Sequence, residues 1–248
     1  MKEPFIVPDP LRSGHRRVES GRGLFWLTEG WRLFVRNPGT WVGIAAVLII
    51  IYGVLSLVPF LGQIAAHLLA PIFAAGLLLG CRSLENGGGI RLEHLFSGFQ
   101  QNSGKLVLVG IFYLIGMSAA LFVALFVGGG MAVAGGVLGH RGGLDGMMAA
   151  GMFSGMLFMM LIFLLLTLPL LMAFWFAPAL VLFRDMEPLP AMLESFSASL
   201  ANTLPFLIYG IFCLVLLVLA AIPMGLGFLV AIPVLAGSFY ASYVDIFE

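Results

Sequence analysis

Charge is what this chain has least of. Only 10% of its 248 residues are Asp, Glu, Lys or Arg, while 61% are hydrophobic, and its mean hydropathy is +1.09. Soluble domains carry about a quarter charged residues. So sparse a set cannot coat a water-exposed surface, which excludes a soluble enzyme of this length. Twelve basic and twelve acidic residues give zero formal charge, so no global basic field exists for nucleic acid. Cysteine is equally scarce. Cys81 and Cys213 both lie in or beside apolar stretches, where they read as small core residues and not as a disulfide. With four histidines and no close ligand spacing, no zinc site is expected, and no cofactor. The first 23 residues carry charges throughout and lack an apolar run, so they do not read as a cleavable signal.

What is present is uninterrupted apolar length. No Asp, Glu, Lys or Arg occurs between Arg36 and Arg82, Lys105 and Arg141, Asp145 and Arg184, or Glu194 and Asp245. A membrane-spanning helix needs about 20 apolar residues. The first and last windows are long enough for a helical hairpin, and the middle two for one span each. The expected spans are therefore 41–58, 64–81, 106–127, 152–183, 204–222 and 228–244. The fourth, at 32 residues, exceeds what a bilayer requires and contains Pro169 and Pro178, so it is expected to tilt, kink or project. With six spans both termini share one side. If that side is the cytoplasm, eleven basic residues lie inside and Arg141 alone lies outside, in accord with the positive-inside rule. The expected location is a bacterial cytoplasmic (inner) membrane, with the lipid bilayer as the partner.

The chain also reads as a repeat. Residues 92–114 and 192–214 are identical at seven of 23 positions, including Phe96/Phe196, Asn102/Asn202 and Gly110/Gly210. A weaker copy aligns Asn37 with Asn102 and Trp31 with Phe96. Each unit begins with an expected amphipathic helix at the cytoplasmic interface, whose apolar residues recur at spacings of three and four. The stripes are Leu24, Leu27, Trp31 and Phe34; Leu92, Leu95, Phe96 and Phe99; and Leu189, Met192, Phe196 and Leu200. Of these, Trp31, Phe34, Phe96, Phe99 and Phe196 are the expected interfacial anchors. Asn37, Asn102 and Asn202 stand at the corners, where an Asn side chain can cap the following helix. Pro71, Pro178 and Pro233 are expected to kink the second helix of each unit. The fold expected is all-α, with six transmembrane helices in three parallel-repeated hairpin units. A tail at 1–23 precedes units 24–86, 90–183 and 189–248, and an outer Gly-rich loop at 128–146 interrupts the second. Gly76/Gly80 and Gly151/Gly155 have the GxxxG spacing that permits close helix approach, expected here within the chain.

Several segments resemble a group of uncharacterised proteobacterial six-span inner-membrane proteins. They are Met1-Lys2-Glu3-Pro4-Phe5, Gly30-Trp31-Arg32-Leu33-Phe34, Leu95-Phe96-Ser97-Gly98-Phe99 and Phe176-Ala177-Pro178-Ala179-Leu180-Val181. The ending Ser238-Phe239-Tyr240-Ala241-Ser242-Tyr243-Val244-Asp245-Ile246-Phe247 also resembles the membrane domain of some glycerophosphodiesterases. These resemblances imply an all-helical six-span fold, and they carry over no catalytic residue.

Catalytic motifs are missing. Gly98 to Lys105 only approximates a phosphate-binding loop, with five residues between the glycines and Leu106 after the lysine. Asp185 and Glu187, beside Arg184 and Pro188, read as a solvated turn. No charged residue lies deep in an expected span, which weakens proton- or sodium-coupled transport. His67, with Gln63 nearby, is the remaining candidate for a polar lining of an outward cavity. The expected role is non-enzymatic, in membrane organisation or support of an envelope complex. The alternatives are a small-molecule or lipid permease, or an ABC-type permease subunit.

Overall fold

A computed structural model describes residues 14–141 and 145–248, and side chains outside 138–149. Met1-Lys2-Glu3-Pro4-Phe5, Lys2 and Arg12 lie outside the described residues. The described chain is helical without strands. Six helices are long and apolar enough to cross a membrane. In order the helices are α1 (Arg22–Arg36), α2 (Pro38–Ser56), α3 (Leu61–Glu85), α4 (His94–Ser97), α5 (Ser103–Arg141), α6 (Asp145–Trp175), α7 (Ala177–Arg184), α8 (Pro188–Ala201), α9 (Thr203–Ala221) and α10 (Phe228–Phe247). Without water to take their N–H and C=O groups, spans in lipid must satisfy the backbone internally, and helices do so.

The core lies at the end of the bundle where α1 begins and α10 finishes, called here the terminal end. Trp26, Trp41, Leu95, Leu106, Phe176, Leu180 and Ile246 are fully buried there. α10 packs on α1, α2 and α3, and α3 packs on α5. Towards the far end the spans present Ile50, Val54, Phe122, Phe126, Leu161, Leu165, Leu214 and Val218 outward. In water this would be an aggregating surface; in a bilayer it is the lipid-facing one.

The segment expected as the loop 128–146 is a correction. Residues 128–141 continue α5, and α6 begins at Asp145. Glycine is a poor helix former in water, but here it lets two backbones meet. A Cβ on Gly128 would overlap Met159, one on Gly155 would overlap Ala132, and one on Gly135 would stand 2.8 Å from Gly151. Gly151 and Gly155 thus serve close approach between α5 and α6. The 39 residues of α5 reach about 58 Å, nearly twice the hydrocarbon thickness.

The expected span 152–183 falls within one apolar stretch, 150–184, and the irregularity expected of it is a break at Phe176. Pro178 lies just past that break, in the first turn of α7, where its missing N–H costs nothing. Ser195 of α8 repairs the break. Its Oγ accepts the Phe176 N–H at 2.8 Å and donates to the Met172 carbonyl at 2.7 Å. Pro71 and Pro233 lie buried inside continuous α3 and α10.

The short helices differ from the expected stripes. α1 buries Gly23, Trp26, Gly30, Leu33 and Phe34 and exposes Leu24 and Trp31. Phe34 is therefore a core residue and not an interfacial anchor. The glycines decide the buried side, since a Cβ on Gly23 would overlap the Pro205 carbonyl and one on Gly30 the Val234 carbonyl. α4 is a single turn that buries Leu95 and exposes Phe96, with Leu92 and Phe99 exposed on either side of it. α8 turns Ala191, Ser195, Ala198 and Ser199 inward with Met192, leaves Phe196 half-buried, and exposes Leu189, Leu193 and Leu200. Small residues inside and large apolar ones outside is the arrangement of a helix in lipid.

The corners also differ among themselves. Asn37 caps α2, accepting the Thr40 N–H at 3.4 Å. Asn102 has a left-handed φ of 52° and donates instead to the Val181 carbonyl and to Asp185. Asn202 accepts the Val18 N–H at 2.8 Å and donates to the Arg16 and Ala198 carbonyls. Neither caps the helix that follows: the Asn202 oxygen is taken by the Val18 N–H, and Asn102 turns its amide nitrogen to Val181 and Asp185.

Candidate functional site

Charged side chains gather at the terminal end, and one cluster encloses a cavity of about 370 Å³ between α1, α3 and α10. On α1, the spacing of Arg22, Phe25, Glu29 and Arg32 places all four on one helical face. On α10, Tyr240, Ala241, Val244 and Asp245 supply the facing surface, Glu85 at the end of α3 closes one side, and Arg16 reaches in from the segment before α1.

Asp245 is the centre of the cluster. Its side chain is 8% exposed, and its carboxylate accepts Arg22 Nε at 2.7 Å, Arg22 Nη2 at 2.6 Å and Trp26 Nε1 at 2.8 Å. Arg16 Nη2 stands 3.6 Å away, and Arg16 Nε donates to the Asp245 backbone carbonyl. A buried carboxylate needs such compensation, because desolvation otherwise disfavours its charge. The hydrogen bond from Arg22 to Asp245 in turn raises the Arg22 pKa, and the guanidinium lies 4.0 Å above the Phe25 ring. Glu29 pairs with Arg32 one turn on, and the Tyr240 hydroxyl donates to Glu85.

A second cluster ties the start of α5 to the α7–α8 turn. Lys105 Nζ lies 2.9 Å from Asp185 and 3.0 Å from Glu187. The lysine holds the exposed Asp185 carboxyl below its usual range. The two carboxylates therefore clasp a cation and do not form an acid–base pair. Nearby, His15 Nδ1 meets Glu194 at 3.0 Å.

Gln63 and His67 lie one turn apart near the start of α3. Gln63 is exposed, and the His67 ring packs 6.0 Å from the Tyr113 ring between α3 and α5. Neither lines the charged cavity. Nor do they line the two apolar ones, of about 450 Å³ beside α6 and α9 and about 380 Å³ between α5 and α6. Cys81 and Cys213 are free thiols. Among the described residues no three His, Cys, Asp or Glu side chains converge as a metal site would require.

Sequence reasoning missed the charged cavity. Its local signal is the face Arg22, Phe25, Glu29 and Arg32, opposite part of the apolar stripe, together with an acidic residue that ends a long uncharged window. Which carboxylate those residues would meet is a matter of tertiary structure.

Comparison with known proteins bears out the membrane class. The chain is 29% identical over 200 residues to a probable inner membrane protein of Burkholderia thailandensis, covering 78% of this chain and 73% of that protein. No family model matches, and no solved structure matches. The likeness of the chain's ending to glycerophosphodiesterase membrane domains therefore rests on its own residues alone. Relative and fold together make this an integral membrane protein of six apolar helices, similar to an inner-membrane protein.

Proposed function

We propose that the protein is a non-enzymatic, non-conducting inner-membrane protein that organises the bilayer or supports an envelope complex. In this reading both termini are cytoplasmic, and three tandem units, α1–α3, α4–α7 and α8–α10, descend from one repeated plan. The observation that carries it is the apolar core beside the charged cavity, where Trp26, Trp41, Leu95, Leu106, Phe176, Leu180 and Ile246 fill the space between the helices. A solute path would need polar lining at that depth. Purified protein in liposomes should release trapped ions and small dyes no faster than empty liposomes, and a protein-dependent leak would overturn the reading. Labelling of a Glu248→Cys variant by an impermeant thiol reagent tests the orientation. The reagent should react in inverted vesicles and not in intact spheroplasts.

A second reading, a lipid permease, draws on the apolar groove of about 450 Å³ beside α6 and α9, lined by Leu168, Leu171, Trp175, Leu207, Gly210 and Leu214. Transfer of a fluorescent phospholipid between leaflets, accelerated by the protein, would favour it. An unchanged transfer rate would count against it.

A further inference from the structure

The cavity between α1, α3 and α10 carries charges of both signs in equal number. Arg16, Arg22 and Arg32 share it with Glu29, Glu85 and Asp245. Some of these groups are fully engaged. Asp245 is buried under Arg22 and Trp26, and Arg22 spends Nε and Nη2 on it. Others keep an open side. The Arg16 and Arg32 side chains are 60% and 52% exposed, and each guanidinium has more donors than its recorded partners use.

Glu85 is the unbalanced group. It accepts the Tyr240 hydroxyl, but among the described residues no Lys, Arg or His nitrogen comes within 4.0 Å of it. Arg82, one turn earlier on α3, turns its guanidinium over the Phe183 ring instead, 4.7 Å from the centroid. The cavity thus offers a carboxylate without a cation on one side and guanidinium donors on the other. A lone anion would meet three carboxylates, and a lone cation would meet three guanidiniums. A molecule bearing both charges satisfies both sides. The position agrees, since the cavity lies where the spans α3 and α10 end, at headgroup level. Phe25, Ala241 and Val244 supply apolar wall beside the charges. At about 370 Å³ it falls within the range of small-ligand pockets, about 300–1,000 Å³.

We propose that this cavity binds the headgroup of an aminophospholipid from the adjoining leaflet, the cytoplasmic one in the orientation above. The phosphate lies against Arg16 and Arg32, and the primary ammonium donates to Glu85. An ammonium with N–H groups is required, because a trimethylated nitrogen cannot donate to the carboxylate. This inference goes beyond the non-conducting reading and is tested separately from it, since a dye leak bears on that reading and not on headgroup selectivity.

The test uses full-length protein in dodecyl maltoside, titrated with short-chain phosphatidylethanolamine, phosphatidylcholine and phosphatidylglycerol and followed by thermal unfolding. Phosphatidylethanolamine should stabilise saturably, at about tenfold lower concentration than the other two, the worth of one charge-assisted hydrogen bond. Glu85→Gln should remove that preference. Arg32→Gln should weaken phosphatidylethanolamine and phosphatidylcholine alike. Tyr240→Phe, which removes the hydroxyl from Glu85 but keeps its charge, should retain the preference, so a general loss of stability is distinguishable from loss of recognition. Equal responses to the three lipids, or an undiminished preference in Glu85→Gln, would overturn the proposal. A full response to water-soluble phosphoethanolamine would overturn the lipid as its source.

Discussion

Arg22, at the first turn of the first helix, closes a two-point ion pair on Asp245, in the last turn of the last, with both hydrogen bonds under 2.8 Å. Trp26 Nε1 completes the cap. The pair is shielded on the carboxylate side and about one-third exposed on the arginine side. Asp245→Ala leaves Arg22 and the Trp26 N–H without their acceptor. Discounted for the exposed arginine, the expected loss is about 2–3 kcal/mol. Trp26→Phe, which removes one donor and keeps most of the ring, should cost about 1 kcal/mol. Thermal or denaturant unfolding in detergent measures both, and a cost for Asp245→Ala no greater than that of Trp26→Phe would contradict the central place given to the carboxylate.

Gly30 carries the crossing of α1 over α10. A methyl there would collide with the Val234 carbonyl and crowd Ser238. Backbone cannot yield as a side chain does, so Gly30→Ala is expected to destabilise by about 1–3 kcal/mol. Gly39, on α2, has nothing within 4 Å of its missing Cβ. Gly39→Ala should be neutral or slightly stabilising. Equal unfolding midpoints for the two variants would refute the close crossing.

Asn202 straps the segment before α1 to the bundle by pairing with the Val18 N–H and the Arg16 carbonyl, as a neighbouring strand would. Asn202→Ala removes both bonds and should free that strap. Trypsin cleavage after Arg16 and Arg17 then accelerates by about tenfold, corresponding to about 1.4 kcal/mol of local opening. The readout is the rate of appearance of the fragment beginning at Arg17 or Val18 under native conditions.

The Lys105–Asp185 tie gives a pH dependence of known sign. Lys105 lowers the Asp185 carboxyl from 3.8 in the folded protein. Its contribution is therefore fully present above the unfolded value and is lost as pH falls through the folded one. Wild type and Asp185→Asn should differ slightly at neutral pH and converge in acid below that range. Because the pair is exposed, the difference should also shrink in high salt. A difference that widened on acidification would invert the assignment.

The six spans were legible because their signal is local. Uncharged windows between Arg36 and Arg82 or between Glu194 and Asp245 need no tertiary knowledge to interpret. Gly128 to Gly136 misled, because glycine propensity is an aqueous measure and the helix there is set by the backbone of α6 pressing on Gly135 and Gly128. Pro178 reads as a kink inside a span, but where the break falls and what satisfies it depend on a partner such as Ser195, seventeen residues further on. Phe34 and Trp31 differ by less than one turn, yet one is core and the other faces outward. Periodicity defined a stripe without saying which of its edges would find Gly237 and Ser238. The charged cavity was the least legible feature, since its partners meet across 223 positions of chain.

That separation also sets an order of events during synthesis. Arg22, Trp26 and Gly30 leave the ribosome more than 200 residues before Asp245, Tyr240 and Ser238. At about 5–20 residues per second, α1 waits roughly 10–45 s for the helix that buries it. Until then α1 has only α2, α3 and, later, α9 to pack against, and its contacts with Val234, Ser238 and Asp245 are unmade. Every nascent chain truncated before α10 leaves α1 in that state. The Arg22–Asp245 pair therefore marks the moment at which α10 has joined α1.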